Sequence, residues 1–208
     1  MVGQGVASTE GMAVARYDKS HKNETRRRII EHAGRRLKRD GIDGSGVATL
    51  MSDAGLTNGA FYAHFGSKND LIANVVADQL NTQAATVRSL RPGREAIEQF
   101  IRGYLTPDHR DQPATGCPSA ALLDEIGRCD EQIRDSYTRG VQAIVEAVAS
   151  HLSPDDPSTA RSTATGLFTL LVGSLQLARA VTDPTLSDEV LKAGISSALE
   201  LLSPKSPN

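Results

Sequence analysis

The chain has 208 residues, of which 39% are hydrophobic and 23% are charged, values typical of a globular protein with one or two domains. No apolar run approaches the roughly 20 residues of a membrane-spanning helix, and the N-terminus lacks the basic-then-apolar layout of a secretory signal. We therefore expect a cytoplasmic protein with no membrane contact. The two cysteines, Cys117 and Cys129, are too few for a disulfide framework.

The net charge of −2 hides an uneven distribution of charge along the chain. Residues 16–40 contain ten Lys or Arg against four Asp or Glu, whereas from Leu71 onward 17 acidic residues outnumber 12 basic ones. A basic head on an acidic body indicates that only the head contacts a polyanion.

The first third of the chain predicts an arm followed by four helices. Residues 1–20 are rich in Gly, Ala and Ser without periodicity, which is typical of a flexible N-terminal arm. From Asn23 the apolar residues recur at helical spacing until the glycines of "DGIDGSG". Ser45 is expected to cap a second helix, Thr57 a third, "NGAFYAHF", and Ser67 a fourth.

Beyond Leu90 helical stretches alternate with breaks. One helix ends at Pro107, "HRDQPATGCP" is predicted as a loop, and two further helices follow. Asp156 before Pro157 starts the next helix, which is expected to reach about Val181, and "DEVLKAGISSALELL" forms the last one. The chain therefore predicts about nine helices, no alternating strand and an all-α fold.

The stretch "AGLTNGAFYAHFGSKNDL" contains three of the eight Phe and Tyr residues of the chain within five positions. Two short helices joined by a tight glycine-containing turn are typical of a DNA-reading helix-turn-helix, although the same spacing also fits plain packing of a helical hairpin. Small residues at the start of the second helix let its backbone approach base edges in the major groove. The base-reading candidates are Thr57, Asn58, Gly59 and Ala60.

Aromatic and polar side chains follow those small residues. Phe61 and Phe65 are four residues apart and are expected to face the core. Tyr62, His64 and Lys68 carry a hydroxyl, an imidazole and an ammonium, which are groups that contact phosphates.

From Thr25 to Val76 the chain resembles the DNA-binding domain of the tetracycline-repressor-like family of bacterial transcriptional regulators. The resemblance rests on "TRRRIIEHAGRRLKRDGIDGSGVATLMSDAGLTNGAFYAHFGSKNDLIANVV" and covers only this part of the chain. Met51 stands where a small alanine is usual, and Gly46 stands where a second Ser or Thr is common. These departures affect the number of phosphate contacts rather than the class of protein.

The resemblance implies a three-helix helix-turn-helix domain at residues 21–70 and a larger helical domain for ligand binding and dimerisation at residues 71–208. It implies a ligand-responsive repressor that binds a near-palindromic operator in double-stranded DNA as a homodimer and is released by a small-molecule effector. The residues expected to contact DNA are Arg26, Arg27, Ser45, Gly46, Thr57, Asn58, Gly59, Ala60, Tyr62, His64 and Lys68.

The stretch "TATGLFTLLVGSLQLARAV" has apolar residues nearly all round the predicted helix, and Gly166 and Gly173 permit close approach of another helix. Such a helix must be buried on every side, which the last two helices of a second copy would achieve. A central core helix in a monomer is the alternative.

Aromatic side chains in the body are the first candidates for an effector pocket. The predicted ligand-binding residues are Phe100, Tyr104, Cys117, Tyr137, Phe168 and Leu171. Because aromatic residues make up only 4% of the chain, these side chains also fit the simpler description of large core residues.

Cys117 precedes a predicted helix, and a helix N-terminus lowers the pKa of a thiol. Oxidation or alkylation of Cys117 is therefore a second hypothesis for the signal, with a structurally inert cysteine as its alternative. Cys129 lies about 18 Å further along if the helix is continuous, so the two thiols cannot pair.

An all-α enzyme is the competing functional class. The chain has no HExxH, no glycine-rich phosphate loop and no GxSxG, and its five histidines have no Cys or carboxylate at metal-ligand spacing. We therefore predict no catalytic residues, metal or cofactor. A regulator-like protein without DNA binding is a third possibility, against which the basic first helix argues.

Overall fold

The computed structural model describes residues 9–203, with side chains described from Ser20 onward. This part of the chain contains nine α-helices, two short 3₁₀ helices and no strand, which confirms the all-α prediction. None of its helices is long and apolar enough to cross a membrane. The α-helices are α1 (Thr9–Asp40), α2 (Val47–Asp53), α3 (Lys68–Arg88), α4 (Arg94–Tyr104), α5 (Pro107–Asp111), α6 (Pro118–Arg128), α7 (Glu131–Leu152), α8 (Pro157–Ala180) and α9 (Pro184–Leu201).

The first helix is longer than the sequence pattern indicated. Residues 1–8 of the predicted arm lie outside the described residues, but the backbone is helical from Thr9 rather than from Asn23. The stretch before Asn23 lacks an apolar stripe, yet it contains no proline and several good helix formers, so the helix propagates through it.

The start of α2 differs from the prediction. Its N-cap is Gly46, and no side chain accepts a hydrogen bond there. The hydroxyl of Ser45 instead donates to the carbonyl of Gly41 at 2.7 Å and is fully buried. Gly41 has φ +81°, a conformation that glycine adopts without strain, and it terminates α1.

The loop predicted after Pro107 contains a short helix, α5. Thr106 caps this helix by accepting a hydrogen bond from the His109 N–H at 3.2 Å, and Pro107 occupies its first position. The Thr-Pro pair therefore starts a helix as well as ending the previous one. The 3₁₀ helices are Asn58–Ala63, where an α-helix was expected, and Pro113–Thr115.

Two predicted caps are confirmed. Ser67 accepts from the Asp70 N–H at 3.0 Å, while the Asp70 carboxylate accepts from the N–H of Gly66, the residue before the cap, at 2.9 Å. Asp156 caps α8 with Pro157 at the first helical position. These caps fix where α3 and α8 begin.

The long helix α3 joins the two predicted domains, because the boundary predicted between residues 70 and 71 falls inside its first turn. In the body α3 packs along α7, where Gly140 allows the two helices to come close. A Cβ atom at Gly140 would lie 2.5 Å from both Cβ and Cδ1 of Leu80. This contact sets the separation of α3 and α7.

The helix α8 has two different faces within one protomer. Leu167, Leu171 and Leu175 are buried against the body. The opposite face exposes Gly173 and Leu177, the latter with 53% of its surface accessible. The single chain leaves this face open and does not test whether a second copy covers it. Leu171 lies in the protomer core and not on the open face.

We predict that Gly140→Ala lowers the free energy of unfolding by about 1–3 kcal/mol, because the new methyl group overpacks the α3–α7 contact. Urea denaturation followed by circular dichroism measures the change. Gly127→Ala is the matched control, since a Cβ atom there meets no heavy atom within 4 Å. It should leave stability unchanged or raise it by up to about 1 kcal/mol; equal effects of the two substitutions would contradict the packing argument.

Candidate functional site

The helix-turn-helix region has the predicted order of two short helices joined by a glycine-containing turn, but its second helix is a 3₁₀ helix. Gly55, with φ +68° and open space around it, makes the turn after α2. Phe61 and Phe65 are buried, and they hold the 3₁₀ helix Asn58–Ala63, which we call the recognition helix, against the core. The recognition helix is thus a short rigid element with one face toward the core and one toward solvent.

The predicted base-reading residues lie on the solvent side of the recognition helix. Thr57, Asn58 and Gly59 are exposed, and Ala60 is half-buried. Thr57 occupies the N-cap position, but its side chain makes no capping hydrogen bond, so its hydroxyl is not occupied by the helix. Tyr62 projects outward with 75% of its surface exposed.

The basic residues of α1 fall into two groups. Within the described part of the chain, Lys22, Arg27 and Arg28 are exposed and form no hydrogen bond or ion pair. Arg26 is different, because its guanidinium stacks over the Phe65 ring at 4.6 Å and donates to Asn74 Oδ1 at 2.9 Å. Arg26 therefore fastens α1 to the helices behind it, although it was predicted to contact DNA.

A basic groove lies between α1 and the recognition helix. Its walls include Lys22, Thr25 and Arg28 on one side and Ala63 and His64 on the other. Burial, and secondarily the charges of Lys22 and Arg26, lower the pKa of His64, and its Nδ1 atom is buried without a hydrogen-bond partner. A neighbouring phosphate would favour the protonated ring and offset this shift.

Two other predicted DNA-contact residues serve the fold. Ser45 is fully buried, so it is not part of the exposed surface, in contrast to the exposed Gly46. The Lys68 ammonium donates to the Ile42 carbonyl at 2.7 Å, which ties the start of α3 to the turn between α1 and α2. Any phosphate contact of Lys68 would use its remaining N–H groups.

The same turn is held from the body by a residue that the sequence did not single out. The Glu125 carboxylate of α6 accepts from the Ile42 N–H at 2.7 Å and from the Asp43 N–H at 3.3 Å. Ile42 and Glu125 are 83 positions apart in sequence, so no local pattern could reveal the contact. We call the backbone N–H and carbonyl of Ile42, with Glu125 and Lys68, the Ile42 clamp.

A cavity of about 500 Å³ lies in the body, and α1 contributes Lys38 to its wall. Of the predicted ligand-binding residues, Phe100, Tyr104 and Cys117 line it, whereas Tyr137, Phe168 and Leu171 are not part of its wall. Residues from five helices and the segment before α6 meet there, including Lys38, Gln79, Gln83, Phe100, Tyr104, His109 and Cys117.

Lys38, at the C-terminal end of α1, is one of the cavity residues that the sequence pattern did not reveal. Its ammonium donates to the Gly116 carbonyl at 2.8 Å. Burial lowers its pKa to about 8, an effect that the charges of Arg35 and Arg179 reinforce. In sequence Lys38 is one of ten basic residues in a run, and only the fold distinguishes it from the others.

His109 forms a bridge in the cavity wall. Its Nε2 accepts from the Cys117 N–H at 3.0 Å, so its Nδ1 carries the proton and donates to the Tyr104 carbonyl at 2.7 Å. Burial lowers the pKa of His109, which favours this neutral form. A Cβ atom at Gly116 would lie 2.5 Å from the ring, so this position must be glycine for the bridge to form.

Cys117 is buried at the N-cap of α6, and its thiol donates to Gln83 Oε1 at 3.4 Å. Cys129 lies at the other end of α6, as the sequence indicated. Sensitivity of Cys117 to oxidants or electrophiles stays a prediction, which unchanged oxidant sensitivity in Cys117→Ser would contradict.

Comparison with known proteins places this architecture among bacterial regulators. Residues 29–75 match the profile of bacterial regulatory proteins of the tetR family. HTH-type transcriptional regulator TtgR of Pseudomonas putida is 37% identical over 132 residues, which are 64% of this chain and 54% of that protein. HTH-type transcriptional repressor BdcR of Escherichia coli is 25% identical over 140 residues, covering 67% of this chain and 71% of the relative.

The fold extends the similarity beyond the first domain. The crystal structure of reduced E. coli NemR superposes with a TM-score of 0.72 over 85% of this chain and 96% of that chain, at 18% identity. Both regions of the chain, including the cavity-bearing helices, therefore share one known architecture.

The two hydrogen bonds of the His109 ring, to Tyr104 and Cys117, predict that the stability of the fold falls in acid. The pKa of His109 lies below its ordinary value of 6.5, so protonation favours the unfolded chain, and the free energy of unfolding should fall as the pH falls below about 6.5. His109→Ala should lower stability by about 1–3 kcal/mol at pH 7.5, because it removes both bridging hydrogen bonds. It should also flatten the decline between pH 7 and pH 5.

Denaturant titrations at a series of pH values measure both effects. His21→Ala, which changes an exposed histidine, is the control and should behave like the wild type. An unchanged pH slope in His109→Ala would show that the acid sensitivity arises elsewhere.

Proposed function

We propose that this chain, which belongs to the tetR family of bacterial regulatory proteins, is a repressor that binds a near-palindromic operator as a homodimer and is released by a small-molecule effector. Its relatives are transcriptional regulators, not enzymes. The observation that carries the proposal is that α1 has exposed arginines beside the recognition helix and Lys38 in the wall of the cavity.

The recognition helix reads bases and its surroundings contact phosphates. Asn58 is exposed and can pair bidentately with adenine, while the methyl groups of Thr57 and Ala60 can contact a thymine methyl. Arg27, Arg28 and the hydroxyl of Tyr62 lie where they can fix the register on the backbone. Two such heads on a two-fold axis require half-sites about one helical turn apart, or somewhat more.

Release requires a ligand that binds the two states of the protein unequally. The cavity wall contains Lys38 of α1 and Gln79 and Gln83 of α3, which are the two helices that carry the DNA-binding head. A ligand that displaces these side chains changes the angle of the head relative to the body. The Ile42 clamp would transmit a shift of α6 to the turn beside the recognition helix.

The exposed face of α8, together with α9, forms the proposed dimer interface. Gly166 and Gly173 are two turns apart on α8, and a Cβ atom at either position meets no heavy atom within 4 Å of the protomer. Leu177 and Leu201 are large exposed hydrophobic side chains on these helices. Four helices, two from each copy, would bury them.

The direct test is fluorescence anisotropy with DNA from upstream of the coding region of the protein, combined with thermal-shift screening of a metabolite and drug panel. A compound that stabilises the protein should also weaken operator binding. Compounds that bind the cavity without any change in operator affinity would remove the ligand-response part of the proposal.

Base-reading and phosphate-contacting residues should differ in their effects on DNA binding. Asn58→Ala should cost about 1–3 kcal/mol on the operator and little on random DNA, because only base pairing is lost. Arg27→Ala should weaken binding to both and reduce the slope of log K against log salt by about 0.9. Anisotropy titrations at several salt concentrations give both numbers.

Lys68 was also predicted to contact a phosphate, so the effects of Lys68→Ala and Arg27→Ala on DNA binding and on stability should be compared. Lys68→Ala also removes the bond to the Ile42 carbonyl, so it should lower the free energy of unfolding, whereas Arg27→Ala should not.

For Asn58→Ala, equal losses of affinity on specific and random DNA would move Asn58 to the phosphate-contacting group.

Dimerisation should depend on the open face of α8. Gly173→Arg places a long charged side chain on this face without a clash inside the protomer, so the chain should fold but sediment as a monomer at micromolar concentration. Gly127→Arg, at an equally open position on α6, should leave the dimer intact. Analytical ultracentrifugation distinguishes the two, and a dimeric Gly173→Arg variant would place the interface elsewhere.

A further inference from the structure

Two residues that line the cavity, Tyr104 and Gln79, each have a buried polar atom without a hydrogen-bond partner among the described residues: the Tyr104 hydroxyl and Gln79 Oε1. Tyr104 is only 6% exposed. Buried polar groups are nearly always satisfied, so two unsatisfied groups on one cavity wall are groups that a ligand can complete when it displaces the side chains around them. The hydroxyl can donate, and the amide oxygen can only accept.

The inner wall of the cavity also contains a cation without a carboxylate partner. Within the described residues no Asp or Glu lies within ion-pair distance of Lys38, and only one of its three N–H groups has a protein acceptor, the Gly116 carbonyl. Behind this wall Arg179 donates only to the carbonyl groups of His109, Arg110 and Ala120. The cavity wall around Lys38 is therefore positive.

Asp78 is the acidic residue of the described cavity wall, and it is exposed. Phe100 and Tyr104 give the wall an aromatic surface, with ring centroids 6.0 Å apart. The volume of about 500 Å³ falls in the range of pockets for drug-sized molecules, about 300–1,000 Å³. The charged and titratable groups around Lys38 are Arg35, Asp78, Tyr104, His109, Cys117 and Arg179.

We propose that the effector is a weak organic acid with a flat apolar body, whose anionic group binds the Lys38 ammonium and the Tyr104 hydroxyl and whose own O–H or N–H donates to Gln79. This inference rests on the proposed function of the cavity as the effector site. The acid group competes with the Gly116 carbonyl for Lys38, so binding loosens the contact between α1 and the segment before α6.

The test uses the full-length protein and two probes, 6-hydroxy-2-naphthoate and its neutral primary amide, in isothermal titration calorimetry at pH 7. The acid should bind the wild type about ten- to a hundredfold more tightly than the amide, as expected for charge-assisted hydrogen bonds. In Lys38→Met, which keeps the apolar stem, the two probes should bind with similar affinity. Lys192→Met, which removes an exposed positive charge on α9, should retain the preference.

Proton uptake gives a second readout. With the pKa of Lys38 at about 8, part of the amine is neutral at pH 8, and an anion that raises this pKa must draw a proton from the buffer. Titrations in phosphate and in Tris, which differ in ionisation enthalpy, should show this uptake in the wild type and not in Lys38→Met. Affinity for the acid should fall as the pH rises above 8.

The proposal is overturned if the amide binds the wild type as tightly as the acid, if a folded Lys38→Met keeps the preference, or if the acid does not bind at millimolar concentration. Fluorescence anisotropy with operator DNA, with and without the acid, tests the effector role separately from the binding of the acid. An acid that binds through Lys38 but does not release DNA supports the ligand chemistry and contradicts the effector role.

Discussion

The Ile42 clamp is the interaction on which the rest of the structure depends. The N–H of Ile42 donates to Glu125 of α6 and its carbonyl accepts from Lys68 of α3, so both backbone polar groups of this residue are bonded to charged side chains. Hydrogen bonds to charged groups are stronger than neutral ones. These bonds tie the turn between α1 and α2 to α6 and to the start of α3.

Two long helices, α1 and α3, also connect the helix-turn-helix region to the body. α3 begins at the end of the helix-turn-helix and continues into the body, where Gly140 sets its distance from α7. α1 carries the exposed arginines near the recognition helix and ends at the cavity with Lys38. Because helices are stiff, a displacement of either helix at the cavity would also displace its other end, at the helix-turn-helix region.

Local sequence signals predicted the elements whose causes are local. Ser67 and Asp156 cap helices as expected, and the aromatic spacing correctly predicted that Phe61 and Phe65 are buried. The prediction that Ser45 caps α2 was wrong, because the hydroxyl of a serine before a helix can instead donate to a carbonyl of the preceding turn, here Gly41. The contacts of Glu125 and Lys38 could not be read from the sequence, since their partners are 83 and 78 positions away.

Arg36 and Lys38 show why a charge count cannot find a site. Both belong to the same basic run of α1, but Arg36 forms an ion pair with Asp53 of α2 and with Asp40, so its charge stabilises the head. Lys38, two residues further on, is turned into the body, where burial lowers its pKa and no described carboxylate offsets the cost. A half-buried ammonium without a counter-ion destabilises the unliganded state, and an anionic ligand recovers that free energy on binding. Lys38 thus costs the unliganded fold stability, and the same residue lies where an anionic ligand in the cavity would contact α1.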